Sequence, residues 1–168
     1  MSGEPLNDSL PLRFSRMPPA PRDPGFRRFT AGDRPACLHL FDANCPRFFA
    51  PNERSDYETF LDEKGGGYEV CLLEGRVVGG YGVLHEGPTG LALRWILLAP
   101  ELQGHGIGTA IMRRVFDQVK AHGPDARLHI GASHLSAPFF ARFGARELAR
   151  FPDGWGPEMH RVDMELVP

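Results

Sequence analysis

Three glycines at alternate positions, between a run of apolar residues and an amphipathic pattern, constrain this chain more than any other feature. They belong to the segment Gln103-Gly104-His105-Gly106-Ile107-Gly108. Without side chains the backbone N–H groups are unshielded, and they coincide with the start of a predicted helix, where the first N–H groups have no partner within the helix. The segment therefore predicts an anion-binding junction, with phosphate as the natural ligand.

Two familiar phosphate-binding loops do not match this segment. A dinucleotide-binding fingerprint needs a third glycine where the chain has Thr109, and a Walker loop needs a Gly-Lys pair, which the sequence lacks. The remaining pattern, Gln-x-x-Gly-x-Gly, follows the strand-like residues 91–98 and precedes apolar residues at helical spacing. Those residues are Ile107, Ile111, Met112, Val115, Phe116 and Val119.

Composition favours a compact enzyme-sized domain. The chain has 168 residues, of which 42% are apolar, and its 19 Lys and Arg nearly balance its 21 Asp and Glu. Because like charges do not cluster, we expect neither a nucleic-acid partner nor a membrane-surface partner. No apolar stretch approaches the roughly 18 residues of a membrane span, and the first residues lack an export signal, so we expect a cytoplasmic location.

Cysteine and histidine spacing predicts neither a disulfide framework nor a metal site. Cys37, Cys45 and Cys71 are odd in number and lie within apolar patterns, so we expect buried, reduced thiols. The seven histidines form no zinc-ligand motif. We therefore expect no metal.

The remaining patterns predict an irregular tail over residues 1–24 and a single domain over 25–168, with the element order βααβββαβαββ. A first strand covers 26–29, Asp33 caps the first helix, and the capping box Ser55-x-x-Glu58 opens the second. Strands follow at 68–73, 77–84 and 91–98, and Gly79, Gly80 and Gly82 indicate a bulge or close packing. After the long helix come a strand at 127–132, a short helix from residue 136, a strand at 146–151, a loop at 152–157 and a final strand at 162–166.

Residues 100–108 resemble the acyl-CoA diphosphate loop of the GNAT N-acetyltransferases, and residues 136–145 resemble the short fourth helix of that family. The order of elements over residues 26–167 is similar too. The resemblance implies an α+β fold of the GNAT acyl-CoA N-acyltransferase type, with a central mixed, mostly antiparallel sheet of about seven strands flanked by four helices. In such a fold the fourth and fifth strands, here 91–98 and 127–132, splay apart and admit the pantetheine arm.

The resemblance also implies acetyl-CoA as co-substrate. The backbone N–H of Leu98 would stabilise the oxyanion that forms when an amine attacks the thioester directly, with no covalent enzyme intermediate. The residues assigned to acetyl-CoA are Ile96, Leu97, Leu98, Gln103, Gly104, His105, Gly106, Ile107, Gly108, Thr109 and Phe140.

Two departures from the family pattern concern proton transfer. Many relatives carry a glutamate base on the fourth strand, but residues 91–98 contain no carboxylate and Ala92 lies near the matching position. Phe140 stands where many relatives carry a tyrosine that protonates the leaving thiolate. We take His134 as the first candidate base, because a neutral imidazole accepts a proton near pH 7. The other candidates are Ser133, His85 and Glu86.

Two further segments border the expected acceptor groove. Either Arg94 or Trp95 should point toward it, because side chains alternate along a strand. Arg94 could hold a substrate carboxylate or lie on the outer face of the sheet. Between the first two helices, Phe48, Phe49, Asn52 and Glu53 lie in a loop that borders the acceptor site in the family.

Two functions stay open from the sequence. One is an N-acetyltransferase that moves an acetyl group from acetyl-CoA to a primary amine of a small molecule or amino-acid-like acceptor in a ternary complex. The other is a non-catalytic acyl-CoA-binding module or sensor, which the missing glutamate and tyrosine favour. A third reading, in which the glycine loop only begins a helix, predicts no effect of acetyl-CoA on the melting temperature. A homodimer through the final strand also stays open.

Overall fold

A computed structural model describes residues 23–64, 67–88 and 90–168, so the predicted tail lies almost entirely outside the described residues. The order of elements is the predicted one. The elements are β1 (Gly25–Arg28), α1 (Arg34–Asn44), α2 (Arg54–Lys64), β2 (Tyr68–Leu73), β3 (Arg76–Glu86), β4 (Gly90–Leu98), α3 (Ile107–Lys120), β5 (Arg127–Ser133), α4 (Ala137–Ala141), β6 (Arg146–Gly156) and β7 (Met159–Leu166).

The strands form one seven-stranded sheet in the order β1-β2-β3-β4-β5-β7-β6. Only the β4–β5 pair is parallel among these neighbours. Successive side chains of a strand face opposite sides, so Val70 joins an apolar cluster with α1 and α2 while Cys71 joins another with α3 and α4. The sheet is therefore covered by helices on both faces, which confirms the predicted α+β fold.

The parallel pair opens part-way along its length. Residues 90–93 of β4 pair with residues 127–130 of β5, and no pairing continues beyond Leu93 in the described part of either strand. At the same level β4 carries a bulge: Gly80 lies opposite Leu97 and Gly82 opposite Arg94, which leaves two residues of β4 facing one of β3. The expected splay between the fourth and fifth strands is present.

Glycine in β3 permits a contact that holds this bulge. A Cβ atom on Gly80 would lie 2.6 Å from the hydroxyl oxygen of Tyr68, so only glycine leaves room for that ring. The Tyr68 hydroxyl donates a hydrogen bond of 2.6 Å to the carbonyl of Trp95, whose φ is +50°. Its oxygen also lies 3.0 Å from the Tyr57 hydroxyl. The predicted bulge or close packing at the β3 glycines is thus confirmed in both senses.

The starts of α1 and α2 differ from the prediction. Asp33 occupies the N-cap position of α1, but its carboxylate accepts hydrogen bonds from Thr30 N and from the Arg27 guanidinium instead of capping the helix. Helix α2 begins at Arg54, so the predicted capping box falls inside it. The reason is a short 3-10 turn, Pro51–Glu53, that brings the chain into helical geometry earlier.

The third difference is the predicted loop at 152–157, most of which belongs to β6. This strand lies at the edge of the sheet, where Pro152 is tolerated because its missing N–H would face solvent. Its pairing with β7 is irregular between Phe151 and Gly156, and Asp153 has a φ of +53°. Turn-forming residues here bend a strand without ending it.

Cys37 and Cys71 are buried, Cys45 is half-buried, and all three are free thiols. Burial raises the pKa of the Cys37 and Cys71 thiols to about 11. Within the described residues, no helix combines the length and apolar character that crossing a bilayer requires.

Candidate acyl-CoA and acceptor site

A cavity of about 490 Å³ opens where β4 and β5 separate. The glycine loop, α4 and the loop between α1 and α2 all contribute residues to its lining. The predicted acyl-CoA residues that line it are Ile96, Leu97, Leu98, Gln103, Gly104, Gly106, Gly108, Thr109 and Phe140. The other two lie elsewhere: Ile107 is buried in the core under α3, and His105 is exposed on the loop.

The glycine loop presents unpaired donors to this cavity. Gly104 and Gly106 have φ values of +81° and +86°, which side chains disfavour. Among the described backbone hydrogen bonds outside helices and strands, Gln103 N donates to the Pro100 carbonyl and Ala110 N to the Gly106 carbonyl. No backbone N–H of residues 104–109 donates to a carbonyl in this set. A Cβ on Gly108 would lie 3.1 Å from the Phe139 ring, which packs α4 against the loop. The arrangement suits an anion that accepts several N–H groups.

The end of β4 directs the N–H of Leu98 toward the gap. Ala99 N donates to the Val78 carbonyl at 2.8 Å, and hydrogen-bonded pairs alternate with non-bonded pairs between antiparallel strands. Leu98, which lies opposite Gly79, therefore turns its N–H away from β3 and toward the side where β5 has separated. An oxyanion at that point would find a backbone donor.

Two side-chain amides hold this strand end in place. The Asn44 side chain donates to the Leu98 carbonyl at 3.0 Å, and Gln103 donates to the Asn44 amide oxygen at 3.1 Å. These contacts tie α1, β4 and the glycine loop together. We did not predict a role for Asn44, although a polar residue on the buried face of α1 was the available signal.

The hydroxyls near Phe140 belong to two serines. Ser133 is buried at the end of β5, and its Oγ lies 3.0 Å from the Oγ of Ser136, the residue that precedes α4. Both serines and the buried Phe140 line the cavity. This part of the site therefore offers aliphatic hydroxyls where many relatives would place a phenol.

The other candidate bases lie outside this cavity. His134 lines a second cavity, of about 570 Å³, and its Nδ1 accepts a hydrogen bond of 3.2 Å from the backbone N–H of His160. Glu86 pairs with Arg94 at 2.8 Å, and the His85 ring lies 5.1 Å from that of His122. Of the four candidates, the structure brings only Ser133 to the gap.

Trp95 is the residue of its pair that faces the cavity. Its ring lies 4.9 Å from that of Tyr57 and stacks on Phe49 at 6.0 Å. Arg94 is exposed and directs its guanidinium to Glu86, as the outer-face alternative predicts. Arg94 therefore does not supply a carboxylate-binding group to the cavity.

Two charged side chains of opposite sign, Glu53 and Arg142, line the cavity, and the described lining contains no others. Glu53 is 8% exposed, accepts a 2.7 Å hydrogen bond from Ala50 N, and has a pKa raised by burial from 4.5 to about 7. Arg142 lies over the Phe139 ring at 5.5 Å, beside the glycine loop. The described lining of the cavity thus carries one cation and one carboxylate.

The family is decided by a match to the model of the Acetyltransferase (GNAT) family over residues 37–145. The chain belongs to the GNAT acetyltransferase family. The match covers α1 through α4, and so includes the glycine loop and both splayed strands.

Solved GNAT-type structures share the fold at low sequence identity. An N-acetyltransferase from Staphylococcus aureus Mu50 is 16% identical, with a TM-score of 0.65 over 87% of this chain and 99% of that one. Rv2747 from Mycobacterium tuberculosis, solved with CoA, is 21% identical, with a TM-score of 0.67 over 86% and 99%.

A third solved structure, N-acetylglutamate synthase from Neisseria gonorrhoeae, contains coenzyme A and N-acetyl-glutamate and is 15% identical. Its TM-score is 0.66 over 85% of this chain and 35% of the synthase. No curated protein matches the chain significantly.

Proposed function

We propose that this GNAT protein transfers the acetyl group of acetyl-CoA to a primary amine of a small molecule, by direct attack in a ternary complex. One observation carries the proposal: the unpaired amides of the glycine loop and the gap-facing N–H of Leu98 open onto the same cavity. The first group suits a diphosphate and the second suits a developing oxyanion.

Different residues of the cavity would have different roles in binding acetyl-CoA. The amides of the glycine loop, with the Arg142 guanidinium beside them, would hold the diphosphate. The pantetheine arm would lie in the gap between β4 and β5, with Phe140 packed near the sulfur. Asn44 and Gln103 would keep the end of β4, and with it the Leu98 N–H, in position.

An ammonium acceptor loses two protons, one before its nitrogen attacks and one as the amide forms, and the departing thiolate takes up one. The amine nitrogen attacks the thioester carbon, a C–N bond forms, the C–S bond breaks, and the nitrogen loses a proton. The thiolate leaves without protonation by a phenol, because residue 140 is a phenylalanine. Because the solution pKa of the thiol is near 8.5, departure is tolerable, and the hydroxyls of Ser133 and Ser136 line the same cavity as Phe140.

The alternative is an acyl-CoA-binding module that does not catalyse transfer. Two observations favour it: β4 carries no carboxylate between residues 91 and 98, and Phe140 has no proton to donate. Such a protein would retain the loop and the gap while lacking turnover.

Calorimetric titration with acetyl-CoA, followed by an assay of CoA thiol release with a panel of primary amines, tests the proposal. Saturable binding together with amine-dependent thiol release is the expected result. Saturable binding with no release on any amine would favour the sensor. If acetyl-CoA gives neither binding heat nor stabilisation, the glycine loop serves only to begin α3.

A further inference from the structure

We infer that Glu53 is the general base of this reaction, and that the acceptor is an amine with an aromatic or otherwise apolar body and no carboxylate. The inference rests on the proposed acetyl transfer, whose acceptor end it describes. Glu53 lies outside β4, the strand on which the family pattern would place the base.

The geometry of Glu53 leaves one carboxylate oxygen available. Oε2 accepts from Ala50 N, while Oε1 has no protein donor among the described residues. The described chain also contains no sealed side-chain oxygen without a partner. Glu53 lines the cavity, and its Oε1, which has no donor in the described chain and is not fully buried, is the oxygen that can accept a hydrogen bond from a bound amine.

The charges around Glu53 leave this oxygen uncompensated. Asp56 on α2 and the Cys45 thiol after α1 are the groups that interact electrostatically with Glu53. The adjacent Arg54 directs its guanidinium to Asp42 and Glu58. A cationic amine would therefore supply the charge that Glu53 lacks in the protein.

The same surroundings favour proton transfer. An alkyl ammonium with a pKa near 10.4 must lose a proton before its nitrogen can attack, and apolar walls lower the pKa of a cation. Burial moves the pKa of Glu53 in the opposite direction, to about 7. The two groups are thus brought closer in basicity than they are in water, as general-base catalysis requires.

Aromatic rings form the walls at this end of the cavity. Phe48, Phe49, Trp95 and Trp155 all line it. The position of Trp155 is set by two hydrogen bonds: its indole N–H donates to the Ala132 carbonyl at 2.9 Å, and its own carbonyl accepts from the Asn52 amide at 3.0 Å. Rings of this kind bind an apolar body and attract a cation.

A carboxylate on the acceptor would find no unpaired cation beside these rings in the described cavity lining. Arg142, the basic residue of that lining, lies over the Phe139 ring of α4, Arg94 pairs with Glu86, and Arg161, over the Trp155 ring at 5.2 Å, pairs with Asp163. Arg47 lies over the Phe48 ring at 5.0 Å but lines the second cavity. An amino acid would place its carboxylate among aromatic rings and near Glu53, which disfavours binding.

The test compares two acceptors that differ by one carboxylate, 2-phenylethylamine and phenylalanine, on the full chain with acetyl-CoA. We expect kcat/KM for 2-phenylethylamine to exceed that for phenylalanine by at least about tenfold. This comparison uses the wild-type protein and so does not depend on the folding of any variant. Equal rates for the two acceptors would overturn the acceptor class.

The variant Glu53→Gln tests the base, because its amide oxygen can still accept from Ala50 N while it can no longer take a proton. With 2-phenylethylamine we expect kcat to fall by about 10²–10⁴, with acetyl-CoA affinity unchanged. The wild-type kcat/KM should also fall on the acid side of about pH 7, and Glu53→Gln should lose that limb. The matched control is Glu63→Gln, an exposed glutamate on α2, which should behave as wild type.

Three outcomes remain distinguishable. A Glu53→Gln enzyme within threefold of wild type, or one that keeps the acid limb, would refute the assignment of the base while the acetyl transfer stands. Wild-type protein that binds acetyl-CoA but acetylates no amine would refute the proposed function itself. Loss of acetyl-CoA binding in Glu53→Gln would show a structural role for Glu53 and would also refute the assignment.

Discussion

Removing the hydroxyl of Tyr68 should destabilise the bulge in β4, at the level where β4 and β5 separate. Tyr68 is fully buried, and its single hydroxyl proton is donated to the Trp95 carbonyl at 2.6 Å. The Tyr57 hydroxyl, 3.0 Å away, must then donate to the Tyr68 oxygen. The variant Tyr68→Phe keeps the ring and its packing but removes one acceptor and one donor at once.

The magnitude follows from the groups left unpaired. The Trp95 carbonyl loses its side-chain donor, at a cost of about 1–3 kcal/mol, and the Tyr57 hydroxyl loses its acceptor, at about 1 kcal/mol more. We therefore expect the free energy of unfolding to fall by about 2–4 kcal/mol. For a domain of this size, 2 kcal/mol corresponds to a decrease in Tm of about 4–8 °C.

Urea denaturation followed by tryptophan fluorescence measures this loss, as a lower midpoint at unchanged slope. The matched control is Tyr81→Phe, because Glu69, the acceptor of that hydroxyl, keeps two hydrogen bonds from Arg114, and only the half-buried Gln118 amide loses its acceptor. We expect the control to cost under about 1 kcal/mol. A loss below about 0.5 kcal/mol in Tyr68→Phe, together with unaltered acetyl-CoA affinity, would refute the role given to this contact.

Three further outcomes follow from the structure. Gly106→Ala and Gly87→Ala, with φ values of +86° and +69°, should each lose about 1–2 kcal/mol of stability, but calorimetry should show weaker acetyl-CoA binding only in Gly106→Ala. The Arg27 guanidinium lowers the pKa of Asp33 from 3.8 to about 2. The Asp33 carboxylate therefore contributes about 2 kcal/mol to the free energy of unfolding, which is complete above pH 4 and is lost as the pH falls toward 2. Acid titration of Asp33→Asn should lack that loss. Iodoacetamide at pH 8 should alkylate Cys45 before the two buried thiols, and mass spectrometry of the native protein would detect the reverse order.

Most elements could be predicted because their signals are local. The apolar spacing along α3, the strand pattern of β2 and the glycine loop each depend on a few consecutive residues, and the structure has them where the patterns indicated. Two of the features that differed depend on pairing with a neighbouring element of the chain. β6 continues through Pro152 because β7 pairs with it, and Asp33 turns away from α1 because Arg27 of β1 lies within reach.

The candidate site likewise has one part that local sequence patterns predict and another that depends on the fold. The candidate acyl-CoA loop could be predicted because an anion site built from backbone amides needs glycine at defined positions. The choice of His134 as base followed from its intrinsic pKa, and the structure places it at a different cavity. Glu53 stood in the loop expected to border the acceptor, but its burial and its nearness to the aromatic rings depend on elements more than 40 residues apart, from Glu53 to Trp95 and Trp155.

Patterns of neighbouring residues were enough to predict the succession of strands and helices and a loop suited to phosphate, because backbone conformation and unpaired amides are set locally. Which side chains face one another across the opening between β4 and β5 depends instead on contacts between elements that are distant in the chain. That opening depends on Tyr68 reaching past Gly80 to Trp95, a contact among three strands. The charge state of a carboxylate depends likewise on what the fold packs around it, which is why Glu53 became a candidate only in three dimensions.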